Sequence, residues 1–297
     1  MPKSADVPTE LRDFSKVFDQ LMYRHEPSRV FSDYLMYVIQ GHTYAPGYPL
    51  GTVPREHDND PDYWDRWKKT YDDKEQKAFY SLYVEHVRVM DKMVCADNDW
   101  YDPLGIFYEC MASSGHRSNM GQFFTPSTLC DAMTKIIYNP EEVGAGKYVS
   151  DPTCGSGRTL LSFNSHCPGN VMLAEDLDST CVKMTVVNFL FHGCRGEVIH
   201  HDSLDPDSWF SGYLVNVNLK PGPFGLPIPH VCRLEKEKSL IWNKWQLRKQ
   251  EVAEERAKNA NTLFVDLEAK PKPSKKQAEP KVEIIDPKDI NQQLTLF

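Results

Sequence analysis

The chain has 297 residues, 40% of them hydrophobic, with 34 Lys and Arg against 42 Asp and Glu and a formal net charge of -8. That is enough apolar chain for one α/β core plus a helical domain, and no continuous apolar stretch is long enough to span a bilayer, which excludes a helical membrane protein. The acidic balance excludes a protein that attracts polyanions through its overall field, so any nucleic-acid contact has to come from local basic surface.

Met1 to Glu10 has no basic region followed by an apolar block, so no secretory leader is expected. The eight cysteines, at 95, 110, 130, 154, 167, 181, 194 and 232, contain no C-x-x-C pair and fit reduced cytoplasmic thiols.

Leu11, Phe14, Val17, Phe18 and Leu21 recur at helical spacing, as do Phe79, Tyr83, Val87, Met90 and Val94. Residues 1–115 are therefore expected to form a helical domain, packed as a bundle. Between these stripes, Gly41 to Trp64 carries Pro46, Pro49, Pro54 and Pro61 among Gly and Asp and reads as a long irregular loop.

Residues 116–234 read as an α/β domain. Lys147 to Ser150 suits a short buried strand, Asp151 to Gly157 supplies a tight turn, and Arg158 to Phe163 reads as the helix behind it. Gly155 and Gly157 lack a Cβ, so the backbone can turn sharply and approach a ligand, and the start of the helix offers unpaired N–H groups to a carboxylate or phosphate. Such a turn alone is weak evidence, because nucleotide sites and plain strand-to-helix corners share it. Val171 to Ala174 then forms a second apolar run ending in Glu175, Asp176 and Asp178, about 20 residues on, where nucleoside-binding sheets place an acid on the ribose hydroxyls; Asp176 is assigned to that role. A third run, Glu197 to Ile199, ends at His200, His201, Asp202, Ser203 and Leu204, which puts another acid and a hydroxyl at a strand's carboxyl end. His192, Cys194, His200 and His201 lie close in sequence, but strand alternation accounts for them, and no metal site is expected.

Residues 235–258 are expected to form a charged helix. Arg233 to Lys258 holds eight Lys and Arg against five Glu, with Trp242 and Trp245 interleaved. A solvated face is the plainer reading and a helix tracking a nucleic-acid backbone the functional one. The polar, Lys- and Pro-rich remainder, 259–297, cannot bury a core and reads as a disordered, flexible tail.

Four segments in order, Gly-Gln-Phe-Phe-Thr-Pro at 121–126, Asp-Pro-Thr-Cys-Gly-Ser-Gly at 151–157, Ala-Glu-Asp-Leu-Asp at 174–178 and His-Asp-Ser-Leu at 201–204, resemble the adenine-N6 DNA methyltransferases, especially modification subunits of type I restriction systems. Asp102 to Glu109 also resembles their approach to the first motif, and the match spans residues 100 to 230. The resemblance implies a Rossmann-like, S-adenosylmethionine-dependent methyltransferase core, with the helical domain lying against it, DNA as a partner and a separate specificity subunit. It implies that Gln122, Phe123, Phe124, Thr125 and Pro126 embrace the methionine end of the cofactor. Gly155, Ser156 and Gly157 then lie at its carboxylate side, Asp176 at its ribose and Asp202 at its adenine, with Asp151, Pro152 and Ser203 also among the cofactor-binding residues.

The same family carries Asn-Pro-Pro-Tyr/Phe, or Asp in first place, after the fourth strand. The adenine amino lone pair is delocalised into the ring, and two oxygen acceptors and a stacking ring localise it on a flipped base in line with the methyl group. In this chain Tyr213 to Gly225 contains Asn218, Pro221, Pro223 and Phe224 spread by inserted residues. Two readings stay open: Asn218, Pro223 and Phe224 converge on a base as the catalytic set, or the chain is a catalytically inactive accessory protein that binds cofactor. Cores of this kind continue through further strands and a helix, where this chain offers only Pro227 to Leu234, so a truncated core is expected. Finally, Gln293, Leu294, Leu296 and Phe297 resemble the clamp-binding peptides of bacterial polymerases and repair proteins, which implies recruitment to the sliding clamp. A last strand folding onto the protein itself is the alternative.

Overall fold

The computed structural model describes residues 7–45, 53–94, 100–114, 124–205, 207–217, 227–268 and 294–295. Its first part is helical: α1 (Arg12–Met22), α2 (Pro27–Gly41), α3 (Tyr63–Thr70), α4 (Asp73–Val94), α5 (Pro103–Ser114) and α6 (Ser127–Ile137). Helix α1 buries Phe14, Phe18 and Leu21, the stripe its spacing predicts. In α4 the buried face differs from the one read in the sequence. Phe79 and Met90 are inside, but Val87 is 39% exposed, and Leu82, His86 and Val89 complete the face. A histidine is tolerated there because the Tyr34 hydroxyl lies 2.9 Å from its Nδ1, and burial drives its pKa down to about 3, which keeps the ring neutral.

The described part of the Gly41 to Trp64 loop has a single 3-10 turn at Arg55–His57. Polar groups hold it down: the Gln40 amide donates to Asp58 Oδ1 and to the Asp60 carbonyl, and the Tyr63 hydroxyl to the Asp33 carbonyl. Tyr63 is buried, so its ring serves packing.

Three parallel strands follow, β1 (Tyr148–Asp151), β2 (Val171–Asp176) and β3 (Arg195–His200), joined by α7 (Arg158–His166) and α8 (Ser179–Phe191). Each helical crossover carries the chain back to the start of the sheet, which is what parallel pairing requires. Val149, Met172, Ala174 and Val198 point to the face covered by α7 and α8. That core continues without a break into α1, α2, α4 and α5. The Phe191 ring lies 4.5 Å from His86, and Lys183 Nζ donates to Ser32 Oγ at 3.2 Å, so helical part and sheet share one interior.

The next strand turns the other way. β4 (Ser211–Val215) pairs antiparallel with β3, from His200 opposite Ser211 to Gly196 opposite Val215, and β5 (Val231–Arg233) pairs antiparallel with β4. Only residues 201–210 join β3 to β4, too few for a helical crossover, so the chain reverses at the carboxyl end of β3. It reaches Asn216 and Val217 at the amino-terminal edge of the parallel strands. There Asn216, at φ 53°, donates through Nδ2 to the carbonyls of Phe189 and Cys194, both at 3.0 Å, and accepts the His230 amide at 3.1 Å. Asn218, Pro221, Pro223 and Phe224 lie outside the described residues.

The opposite face is covered by α9 (Leu240–Glu268), with Ile241 and Trp245 against Leu173, Ile199, Leu214 and Leu234. This helix runs to Glu268, ten residues past Lys258, so it takes in the start of the segment 259–297 that was expected to be a flexible tail. Near the end of the chain, β6 (Leu294–Thr295) pairs parallel with Val149 and Ser150 of β1, giving the sheet order β5-β4-β3-β2-β1-β6. That pairing departs from a tail without structure and matches the fold-back alternative. Gln293, Leu296 and Phe297 lie outside the described residues. No helix among those described is long and apolar enough to cross a membrane, and no cluster of metal-ligating side chains occurs among them.

Candidate functional site

The carboxyl ends of β1, β2 and β3 gather most of the residues singled out from the sequence. β1 ends at Asp151, whose carboxylate turns back into the protein: Oδ1 accepts the Thr153 amide at 3.0 Å and Oδ2 accepts the Thr159 hydroxyl. Burial raises its pKa above the ordinary aspartate value. Asp151 thus shapes the turn, with half-buried Pro152 beginning it, and its own side chain is buried.

The turn needs its glycines. Gly155 has φ +57°, and a Cβ there would lie 2.8 Å from Phe124 Cδ1. Gly157 has φ +88°, and a Cβ there would lie 3.1 Å from Thr185 Cγ2. Gly157 is also the N-cap of α7 and, as a glycine, gives the first-turn amides no side-chain cap.

Two hydrogen bonds fasten the turn to the end of β2. The Gly155 amide donates to Asp176 Oδ2 at 2.9 Å and the Cys154 amide to the Glu175 carbonyl at 2.9 Å. Asp176 Oδ1 accepts the Asp178 amide at 2.8 Å. A carboxylate offers about four lone-pair positions, so Asp176 keeps capacity for a ligand's hydroxyls. Burial raises its pKa, backbone donors working against that shift. Asp178 is spent differently: it caps α8 by accepting the Thr180 and Cys181 amides at 2.6 and 3.2 Å.

Beyond β3, the His201 amide donates to the Asp176 carbonyl at 3.1 Å, so the nucleoside candidates Asp176 and Asp202 stand at adjacent strand ends. Asp202 Oδ1 accepts the Leu204 amide at 2.9 Å, and Ser203 is half-buried. Exposed apolar side chains are close in sequence: Leu177 follows Asp176, Leu204 follows Ser203, and the exposed Phe210 ring lies 4.6 Å from His200.

The described half of the first motif sits against this turn. The Arg158 guanidinium lies 5.3 Å over the Phe124 ring and donates to the Thr125 carbonyl at 3.4 Å, while Pro126 leads into α6. Gln122 and Phe123 lie outside the described residues.

A residue the sequence reading left without a role joins these parts. Asp102 accepts the Gly105 amide at 2.8 Å, the Ser156 hydroxyl at 2.6 Å, Arg158 Nε at 2.7 Å and Asn188 Nδ2 at 2.8 Å. Arg158 donates further to Glu109 at 2.8 Å. The Ser156 side chain, assigned to the cofactor, is therefore buried and turned to Asp102, which leaves only its backbone for a ligand. Asp-Pro at the start of a helix is a readable N-cap signature, and the Arg directly after the glycine turn was the charge it had to meet.

The sequence profile of the family described as N-6 DNA Methylase matches residues 100–269, more than half of the 297 residues. The chain belongs to the N-6 DNA methylase family. Its match to that family takes in Asp102, the glycine turn, Asp176, Asp202 and the whole of α9. The chain is also similar, at 23% identity and a TM-score of 0.27, to the crystal structure of the type I restriction-modification system methyltransferase subunit from Streptococcus thermophilus. That likeness covers 43% of this chain and 28% of the other, so this N-6 DNA methylase chain spans less than a third of that subunit.

Proposed function

We propose that this chain binds S-adenosylmethionine across the carboxyl ends of β1, β2 and β3 and serves adenine-N6 methylation of DNA as its cofactor-binding component. The observation that carries the reading is the Gly155 amide bonded to Asp176, which sets a ribose-type carboxylate beside a glycine turn and an uncapped helix start. These groups fit the cofactor's chemistry. The α7 amides suit its carboxylate, Asp176 its hydroxyls, and exposed Leu177 and Phe210 with Asp202 its planar base. Phe124, Thr125 and Pro126 would close on the methionine end, held there by Arg158. When bound, the cofactor supplies an electrophilic methyl group.

For the transfer itself, the direction of β4 favours the accessory reading over catalysis by Asn218, Pro223 and Phe224 of the same chain. β4 leads to Asn216 at the edge of the sheet opposite the glycine turn. Target choice is assigned to a separate specificity subunit. The β6 pairing likewise favours a fold-back role for the terminal peptide over docking on a sliding clamp.

Calorimetry with S-adenosylmethionine, followed by transfer of labelled methyl to mixed genomic DNA, tests the reading. Binding without incorporation by the isolated chain is the expected result. Incorporation that is lost in Asn218→Ala would make the chain the catalyst, and no heat of binding would remove the reading.

A further inference from the structure

The acids on either side of the candidate nucleoside site are each preceded by a buried polar residue, and those two residues bond to each other. Glu175 precedes Asp176 and is 3% exposed; His201 precedes Asp202 and is 0% exposed. His201 Nε2 lies 2.6 Å from Glu175 Oε2, within hydrogen-bond distance. His201 Nδ1 is buried without a partner among the described residues. The same Glu175 oxygen accepts the indole N–H of Trp245 at 2.8 Å. Trp245 belongs to α9, and its ring lies 6.5 Å from that of His201.

Successive residues of a strand point to opposite faces or edges, so fixing one side chain fixes the setting of its neighbour. Glu175 and His201 reach into the layer under α9, while Asp176 and Asp202 follow them at the strand ends. Asp176 in turn receives Gly155, and the Glu175 carbonyl receives Cys154. A single chain of contacts therefore runs from α9 through Trp245, Glu175 and His201 to the two acids and the glycine turn.

We propose that Glu175, His201 and Trp245 form a buried brace that positions Asp176 and Asp202, so that the seating of α9 on the sheet sets affinity for the adenosine half of the cofactor. The three are positioning residues, and the inference rests on the cofactor reading above. It gives α9 a task beyond covering the sheet: a partner that shifted this helix would change cofactor affinity.

The test is calorimetry with S-adenosylhomocysteine on the full chain, beside melting curves. Trp245→Phe keeps an aromatic ring but loses the N–H; it should weaken binding roughly tenfold, the scale of a lost hydrogen bond to a charged group. Glu175→Gln keeps an oxygen acceptor for both donors and should stay within about twofold of the wild type. Tyr34→Phe removes the hydroxyl that lies 2.9 Å from His86 Nδ1 in the helical part, away from α9. It should lower the melting temperature and leave affinity unchanged. Wild-type affinity in Trp245→Phe overturns the brace, as does a tenfold loss in a folded Glu175→Gln, or a loss in Tyr34→Phe matching that in Trp245→Phe. If the wild type itself gives no heat, the cofactor reading falls first and the brace with it.

Discussion

Gly155 donates its amide proton to Asp176 Oδ2 at 2.9 Å, and through that bond the turn after β1 and the end of β2 form one unit. The donor is a residue that only glycine can be, and the acceptor is the acid a nucleoside would meet.

Gly155→Ala forces a side chain into the left-handed region at φ +57°, with its Cβ 2.8 Å from Phe124. The backbone term alone costs about 1–2 kcal/mol, and Phe124 must also move. Urea denaturation should show at least that loss, and cofactor affinity should fall at least as steeply as stability. An Ala variant as stable as the wild type would mean the turn adopts another conformation.

Asp102→Ala leaves Arg158, Ser156 and Asn188 without their shared acceptor in a site where Asp102 is 2% exposed. Breaking a buried pair from one side costs about 3–5 kcal/mol. Chemical denaturation should record a loss of that order; a loss below about 1 kcal/mol would show that the network relaxes around the gap.

Arg158→Lys keeps the charge but exchanges a planar fork for a point donor, which cannot serve Asp102, Glu109 and the Thr125 carbonyl together. Stability should fall by about 1–2 kcal/mol, and the ligand's methionine end should lose more than its adenosine end. Comparing S-adenosylhomocysteine with adenosine in a binding assay separates the two, and an equal loss for both would contradict the assignment.

Asp151 gives a pH dependence whose sign is fixed by its burial. Its folded pKa lies above the unfolded value, so the folded protein holds the proton more tightly. Stability linked to that proton is full below the ordinary aspartate pKa of about 3.9 and is lost as pH rises through the shifted value. The melting temperature of the wild type minus that of Asp151→Asn should therefore fall as pH is raised from about 4. Parallel curves would show that Asp151 ionises normally.

The βαβαβ unit was legible in the sequence because short apolar runs, a glycine turn and acids at strand ends are all local signals. The direction of β4 was legible in principle as well, since residues 201–210 are too few for a crossover helix. Motif order suggested a fourth strand leading to Asn218, and loop length was the better guide. In α4, Val87 fitted the helical period but lies outside, because the stripe turns on His86, whose burial depends on the distant Tyr34 hydroxyl. Likewise Ser156 fitted the motif, but its hydroxyl is claimed by Asp102, 54 residues earlier in the chain. Periodicity carries no information about such partners.

The central claim is that Asp176 and the Gly155 turn form an S-adenosylmethionine site. Isothermal titration of the wild type and Asp176→Ala with S-adenosylmethionine tests it most directly. Saturable binding by the wild type, weakened at least roughly tenfold in a folded Asp176→Ala variant, is the predicted result. No binding by the wild type, or equal binding by both proteins, would contradict it.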